Sequence, residues 1–136
     1  MSIYNLRIML VEDHPFQLKA TQYLLESYGF TQVTAVDNAA SALQSMIQMN
    51  PPFQLLLCDQ CLPDLPGLDL IGIASHQRLI QHAILLSSLD SSELDTLKQQ
   101  AHEQHFPLLG YLPKPLKQPE LLSLLTSTNA TKNRTL

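Results

Sequence analysis

Glycine and cysteine are scarce in this chain, four and two among 136 residues, and each shortage removes a class of function. Four glycines form neither a Gly-x-Gly-x-x-Gly loop nor a Walker sequence, so the common backbone cradles for nucleotide phosphates are excluded. Two cysteines without a second pair leave a four-ligand zinc site incomplete. Basic residues are also few: eight Lys and Arg against twelve Asp and Glu give a formal charge of -4. A nucleic-acid surface needs clustered cations, so direct nucleic-acid binding is not expected. No apolar run approaches the length of a membrane span. The amino terminus reaches Arg7, Glu12 and Asp13 with no apolar signal segment or small-residue cleavage site, so a cytoplasmic protein with no membrane partner is expected.

What remains has the length of one domain, with 45% hydrophobic and 15% charged residues, an ordinary globular composition. Strand and helix signals alternate, which predicts a parallel sheet with helices on both faces. Leu6 to Val11 reads as a first strand. Pro15 then opens a helix in which Phe16, Ala20, Tyr23, Leu24 and Ser27 share one face, ending at Gly29. Phe30 to Val36 is a second strand, and Asp37 or Asn38 caps a helix carrying Ala39, Ala42, Leu43, Met46, Ile47 and Met49. A third strand ends at Asp59, and a helix from about Gly67 to His76 follows. Ala83 to Leu86 is a fourth short strand, ending in Ser87 and Ser88. A polar helix capped by Asp90 or Ser91 runs to about His105, Pro107 to Leu112 is the fifth strand, and Pro119 starts a last helix.

The stretch from Pro52 to Leu70 organises the rest. Leu55, Leu56, Leu57 and Cys58 form an apolar run without alternation, as a central strand covered on both faces requires. Asp59 ends it, and Pro63, Pro66 and Gly67 force a loop. A carboxylate there sits where open α/β sheets place their chemistry. Cys58-Asp59-Gln60-Cys61 has the spacing of a redox pair, but the first thiol ends a strand rather than capping a helix; a buried strand thiol and a loop residue is the favoured reading. His102 and His105 read as solvated helix positions.

Five strands ending at one edge of the sheet bring together Glu12, Asp13, Asp59, Ser87 and Lys114. Carboxylates a few ångströms apart repel, by about 4 kcal/mol per pair at 4 Å for an effective dielectric near 20, so a cation must offset them. Oxygen-only ligands favour Mg²⁺, which keeps waters and accepts phosphate oxygens.

With these residues the chain resembles the receiver domain of two-component response regulators, over about Leu6 to Thr126. Val11-Glu12-Asp13-His14-Pro15 is similar to that family's acidic pair and its surroundings. Asp59 resembles the phosphorylated aspartate, Ser87 the hydroxyl residue after the fourth strand, Lys114-Pro115 the lysine and following proline, and Tyr111 the aromatic switch. The resemblance implies an α/β, flavodoxin-like fold: a five-stranded parallel sheet in order 2-1-3-4-5 with five helices on both faces. It implies a phosphoacceptor rather than an enzyme, with Mg²⁺ held by Glu12, Asp13, Asp59 and the Cys61 backbone carbonyl, and Ser87, Lys114 and Tyr111 responding to the phosphoryl group. The implied partners are a sensor histidine kinase or phosphotransfer protein, an output domain in cis or a protein partner, and a second copy through the fourth helix, fifth strand and fifth helix. Residues 1–126 would form the receiver and 127–136 a polar tail or linker start.

Two other readings use the same residues. A haloacid-dehalogenase-type phosphatase also uses an aspartate nucleophile and Mg²⁺, but its second acid would fall at Cys61; a Cys-x-x-Cys redox module is the other. The long polar segment from Asp90 to Leu109 resembles receivers joined to cyclic-di-GMP phosphodiesterase (EAL-type) outputs, of which 136 residues hold only the receiver. Cys61 and Leu89, at the positions that border the hydrolytic water in the family, offer no carboxylate or amide, so slow autodephosphorylation is expected.

Overall fold

The computed structural model describes residues 2–135, with side chains described through Thr126. A 3-10 turn, Ile3–Asn5, precedes strand β1, Arg7–Val11, and helix α1, Pro15–Ser27. Strand β2, Gln32–Val36, leads to α2, Ala39–Gln48; β3, Phe53–Asp59, leads to α3, Gly67–His76. Strand β4, Ile80–Leu86, leads to α4, Ser91–Glu103, and β5, Leu108–Leu112, to α5, Gln118–Thr135. The five strands form one parallel sheet in the order β2-β1-β3-β4-β5, as expected.

The period-2 geometry of a strand divides the core in two. Ile8, Leu10, Leu55, Leu57, Ile84 and Leu86 face α1 and α5, where they meet Leu25, Leu121 and Leu125. Met9, Val11, Leu56, Cys58, Ala83 and Leu85 point the other way, into α2, α3 and α4. Leu55 to Cys58 are therefore sealed from water on both faces of the sheet, which is why the run shows no polar alternation. Among the described residues no helix is long and apolar enough to cross a membrane.

Three local readings change. Strand β4 starts at Ile80 rather than Ala83, because Gln81 is exposed where the strand leaves the core and masks its beginning. His105 lies past the end of α4 with φ at 59°, in the left-handed region, and leads Phe106 back over Gly72 of α3. Most informative is α1: Phe16 is 83% and Tyr23 69% exposed, and Ala20 and Ser27 also face solvent. The buried stripe is Thr21 and Leu25, flanked by Leu18, Leu24 and Tyr28, so the helix is rotated from the face that spacing picks out. The segment read as a polar tail begins inside α5, whose backbone stays helical to Thr135.

Candidate functional site

Parallel strands in this order put β1, β3, β4 and β5 side by side with their carboxyl ends at one edge. Glu12 follows β1 and is fully buried, its N–H donating to the Val36 carbonyl of β2 at 3.1 Å. Asp59 is the last residue of β3 and is 7% exposed. Ser87 follows β4; its N–H donates to the Leu112 carbonyl at 3.1 Å, and its buried hydroxyl oxygen accepts the Leu89 N–H at 3.0 Å. Ser88 beside it is exposed. Lys114 leaves β5 two residues after Leu112 and precedes a cis peptide to Pro115.

Lys114 closes the site. Its Nζ donates to Glu12 Oε1 at 2.7 Å, to Asp59 Oδ2 at 2.8 Å and to Gln17 Oε1 at 2.9 Å, so an ammonium with three N–H bonds meets three acceptors from three elements. Two carboxylates withdrawn from water would each carry a large desolvation cost, and the ammonium between them offsets it. Burial works against the charge on Lys114, but its hydrogen bonds to Asp59 and Glu12 outweigh that and hold its pKa above the ordinary lysine value.

Asp13 lies beside this triangle, partly exposed, with His14 Nδ1 at 3.0 Å from its Oδ1 and 3.6 Å from Glu12 Oε2. One donor atom each from Glu12, Asp13 and His14 lies within 4.8 Å of the others. The group that could hold a cation is thus Glu12 and Asp13 with His14, and hard carboxylate oxygens of this kind suit Mg²⁺. Asp59 is linked to Glu12 through Lys114, and its Oδ1 accepts the Cys61 N–H at 3.0 Å. Tyr111 on β5 is half-buried against the α2-α3-α4 side of the core, with the Lys98 ammonium of α4 5.7 Å from its ring centroid.

The Cys-x-x-Cys pair divides into a buried strand thiol and an exposed loop residue. Cys58 is fully buried and its thiol lies 3.7 Å from the Gly67 carbonyl, while Cys61 is exposed. Burial, with the Asp59 charge second, pushes the Cys58 thiol far above the ordinary range, the opposite of a redox nucleophile.

Three polar groups that shape the site escaped sequence reasoning. Gln17 reaches Lys114 from the first turn of α1, and only its place just after the acidic pair could have drawn notice. In the loop after Asp59, Gln60 folds back so that its carbonyl accepts the Gly67 N–H at 2.9 Å and its Oε1 the Leu68 N–H at 2.9 Å. Asp64 reaches across to α2, accepting the Ala39 N–H at 3.0 Å and the Ala40 N–H at 2.9 Å. Those two donors hold the Asp64 carboxyl below the usual range and supplement Asn38, whose Oδ1 accepts the Ser41 N–H at 2.7 Å. A Cβ on Gly67 would strike the Asp59 carbonyl oxygen, so the loop closes this tightly only over glycine.

A doubly covered parallel sheet with acids, a hydroxyl and a lysine at one edge fits a class of signalling domain. Over residues 8–126 the chain matches the response regulator receiver domain family, and it belongs to that family. It is similar to the sensor protein TorS of Escherichia coli, 32% identical over 121 residues that cover 89% of this chain and 12% of that protein. It is also similar to the chemotaxis protein CheY of Pseudomonas aeruginosa, 24% identical over 110 residues, covering 81% of this chain and 85% of that one. The chain thus spans only a small part of the first of these relatives and most of the second. In structure it resembles a CheY-like response regulator receiver domain protein from Methanospirillum hungatei, with a TM-score of 0.74, 24% identity, and coverage of 97% of this chain and 99% of that chain. Receiver domains are signalling domains rather than conventional enzymes, and Mg²⁺ and phosphoaspartate are typical of the family.

Proposed function

We propose that this chain accepts a phosphoryl group on Asp59 and relays the event through the surface formed by α4, β5 and α5. The observation that carries this is the Lys114 ammonium held between Asp59 at 2.8 Å and Glu12 at 2.7 Å. An Asp59 carboxylate oxygen forms the new bond to phosphorus, the bond to the donor's leaving group breaks, and its electron pair departs with that group. Lys114 stabilises the charge that gathers on the phosphoryl oxygens. Glu12, Asp13, Asp59 and the Cys61 carbonyl would hold Mg²⁺, which supplies further charge neutralisation when bound. Ser87, at the end of the adjacent strand, exchanges its bond to the Leu89 N–H for one to a phosphoryl oxygen, and Tyr111 follows it inward. The balance between two arrangements moves only by the difference in their affinity for the phosphoryl group.

The donor is a sensor histidine kinase or phosphotransfer protein in the cytoplasm, and the recipient is an output domain in cis or a partner, with a second copy of the chain meeting the α4/β5/α5 face. The long polar segment from Asp90 to Leu109 supports an output of the cyclic-di-GMP phosphodiesterase (EAL) type. Residues 1–126 are the receiver and 127–136, which continue the α5 backbone to Thr135, are a polar tail or the start of a linker. Incubation with acetyl phosphate and Mg²⁺, followed by intact mass, tests the central step: one added phosphoryl group is expected, absent in Asp59→Asn. No mass gain in the unaltered chain, or an undiminished gain in the variant, would sink it.

A further inference from the structure

We propose that Gln17 is a positioning residue for Lys114, fixing the ammonium so that one N–H stays aimed at Asp59; this rests on Asp59 being the phosphoryl acceptor. Glu12 follows β1 and Asp59 ends the neighbouring β3, and with these two acceptors alone the third N–H would turn to water and the ammonium could swing about the axis between them. Gln17 Oε1, at 2.9 Å from Nζ, brings the third acceptor from a third element, α1. The grip is then three-point, on an ammonium whose side chain is only 16% exposed.

The choice of an amide matters. The site already holds the carboxylates of Glu12, Asp13 and Asp59 and must admit a multiply charged phosphoryl group. A neutral oxygen orients the ammonium without adding to that repulsion. Once an Asp59 oxygen is joined to phosphorus it accepts poorly, and the N–H aimed at it needs only to tilt toward a phosphoryl oxygen while Glu12 and Gln17 hold the other two. Gln17 is itself exposed on the first turn of α1 and is not part of either core cluster, so its replacement spares the fold.

The test compares Gln17→Met, which keeps length without an acceptor, and Gln17→Glu, which keeps an acceptor oxygen, on the full chain. Without metal, ¹⁵N NMR of the Lys114 ammonium is expected to give a slowly exchanging signal in the unaltered chain. That signal is lost to solvent exchange in Gln17→Met and recovered in Gln17→Glu. With acetyl phosphate and Mg²⁺, the maximal phosphorylation rate of Gln17→Met falls about tenfold, the value of one charge-assisted hydrogen bond, with half-saturating donor concentration unchanged. A persistent ammonium signal in Gln17→Met, or an unaltered maximal rate, overturns the proposal. Should the unaltered chain gain no phosphoryl group, the acceptor reading fails, and the ammonium signal alone decides whether Gln17 fixes Lys114.

Discussion

Lys114 is the residue on which the site's charge balance turns. Glu12 and Asp59 are almost wholly withdrawn from solvent, and among the described residues the cation touching both is the Lys114 ammonium. Removing it leaves two like charges without compensation, so Lys114→Met is expected to cost roughly 3 kcal/mol in urea unfolding without Mg²⁺, the low end of the range for breaking a buried pair from one side because the lysine keeps some exposure. Millimolar Mg²⁺ should recover part of that loss, because an ion bound only by the native state stabilises it. Leu89 offers a second test. Its N–H caps Ser87 while its side chain brings no polar group to the water path, so phospho-Asp59 should decay slowly and Leu89→Gln should shorten its lifetime, read by the decline of the phosphorylated mass. Equal lifetimes in the two proteins would refute that role.

At the scale of elements, α1 shows how a helix can satisfy two spacings at once. Residues 16, 20, 23 and 27 and residues 18, 21, 25 and 28 are both stripes at helical intervals, and only docking against β1 and β2 selects the second. Leu25→Ala is therefore expected to cost about 2–4 kcal/mol in thermal or urea unfolding, and Phe16→Ala less than about 0.5 kcal/mol. The strand ends were legible in advance because each apolar run stops at a polar residue of a different kind: Glu12, Asp59, Ser87 and, after β5, Lys114. The acids, the lysine and the sheet order follow from that punctuation together with the family resemblance. Gln17, Gln60 and Asp64 were not legible, since each acts across a loop or on another element, and no local pattern encodes an approach made only in the folded chain. Gly67 stands between the two cases: its turn was readable, but not that a β-carbon there would strike the Asp59 carbonyl. Gly67→Ala should shift that carbonyl and slow phosphoryl uptake, while Gly67→Ala and the unaltered chain phosphorylated at equal rates would refute the close approach.

For the molecule as a whole, the pH dependence of stability has two identifiable limbs. The Lys114 pKa is raised in the folded state, so its contribution is complete below the ordinary value of 10.5 and is lost as pH rises through the higher folded value. Thermal unfolding midpoints should fall above that pH, and the fall should be reduced in Lys114→Met. Asp64 and Asp90 behave in the opposite sense: their carboxyls are lowered by helix N–H groups, so what they contribute is present above 3.8 and disappears as pH drops through their folded values. The bridge from Asp64 to Ala39 and Ala40 has one more consequence. Because the segment carrying it also carries Cys61, a rearrangement around Asp59 is expected to reach the first amides of α2, on the flank away from β5. Deuterium uptake at Ala39 and Ala40, compared with and without acetyl phosphate and Mg²⁺, is expected to gauge events around Asp59 from that flank.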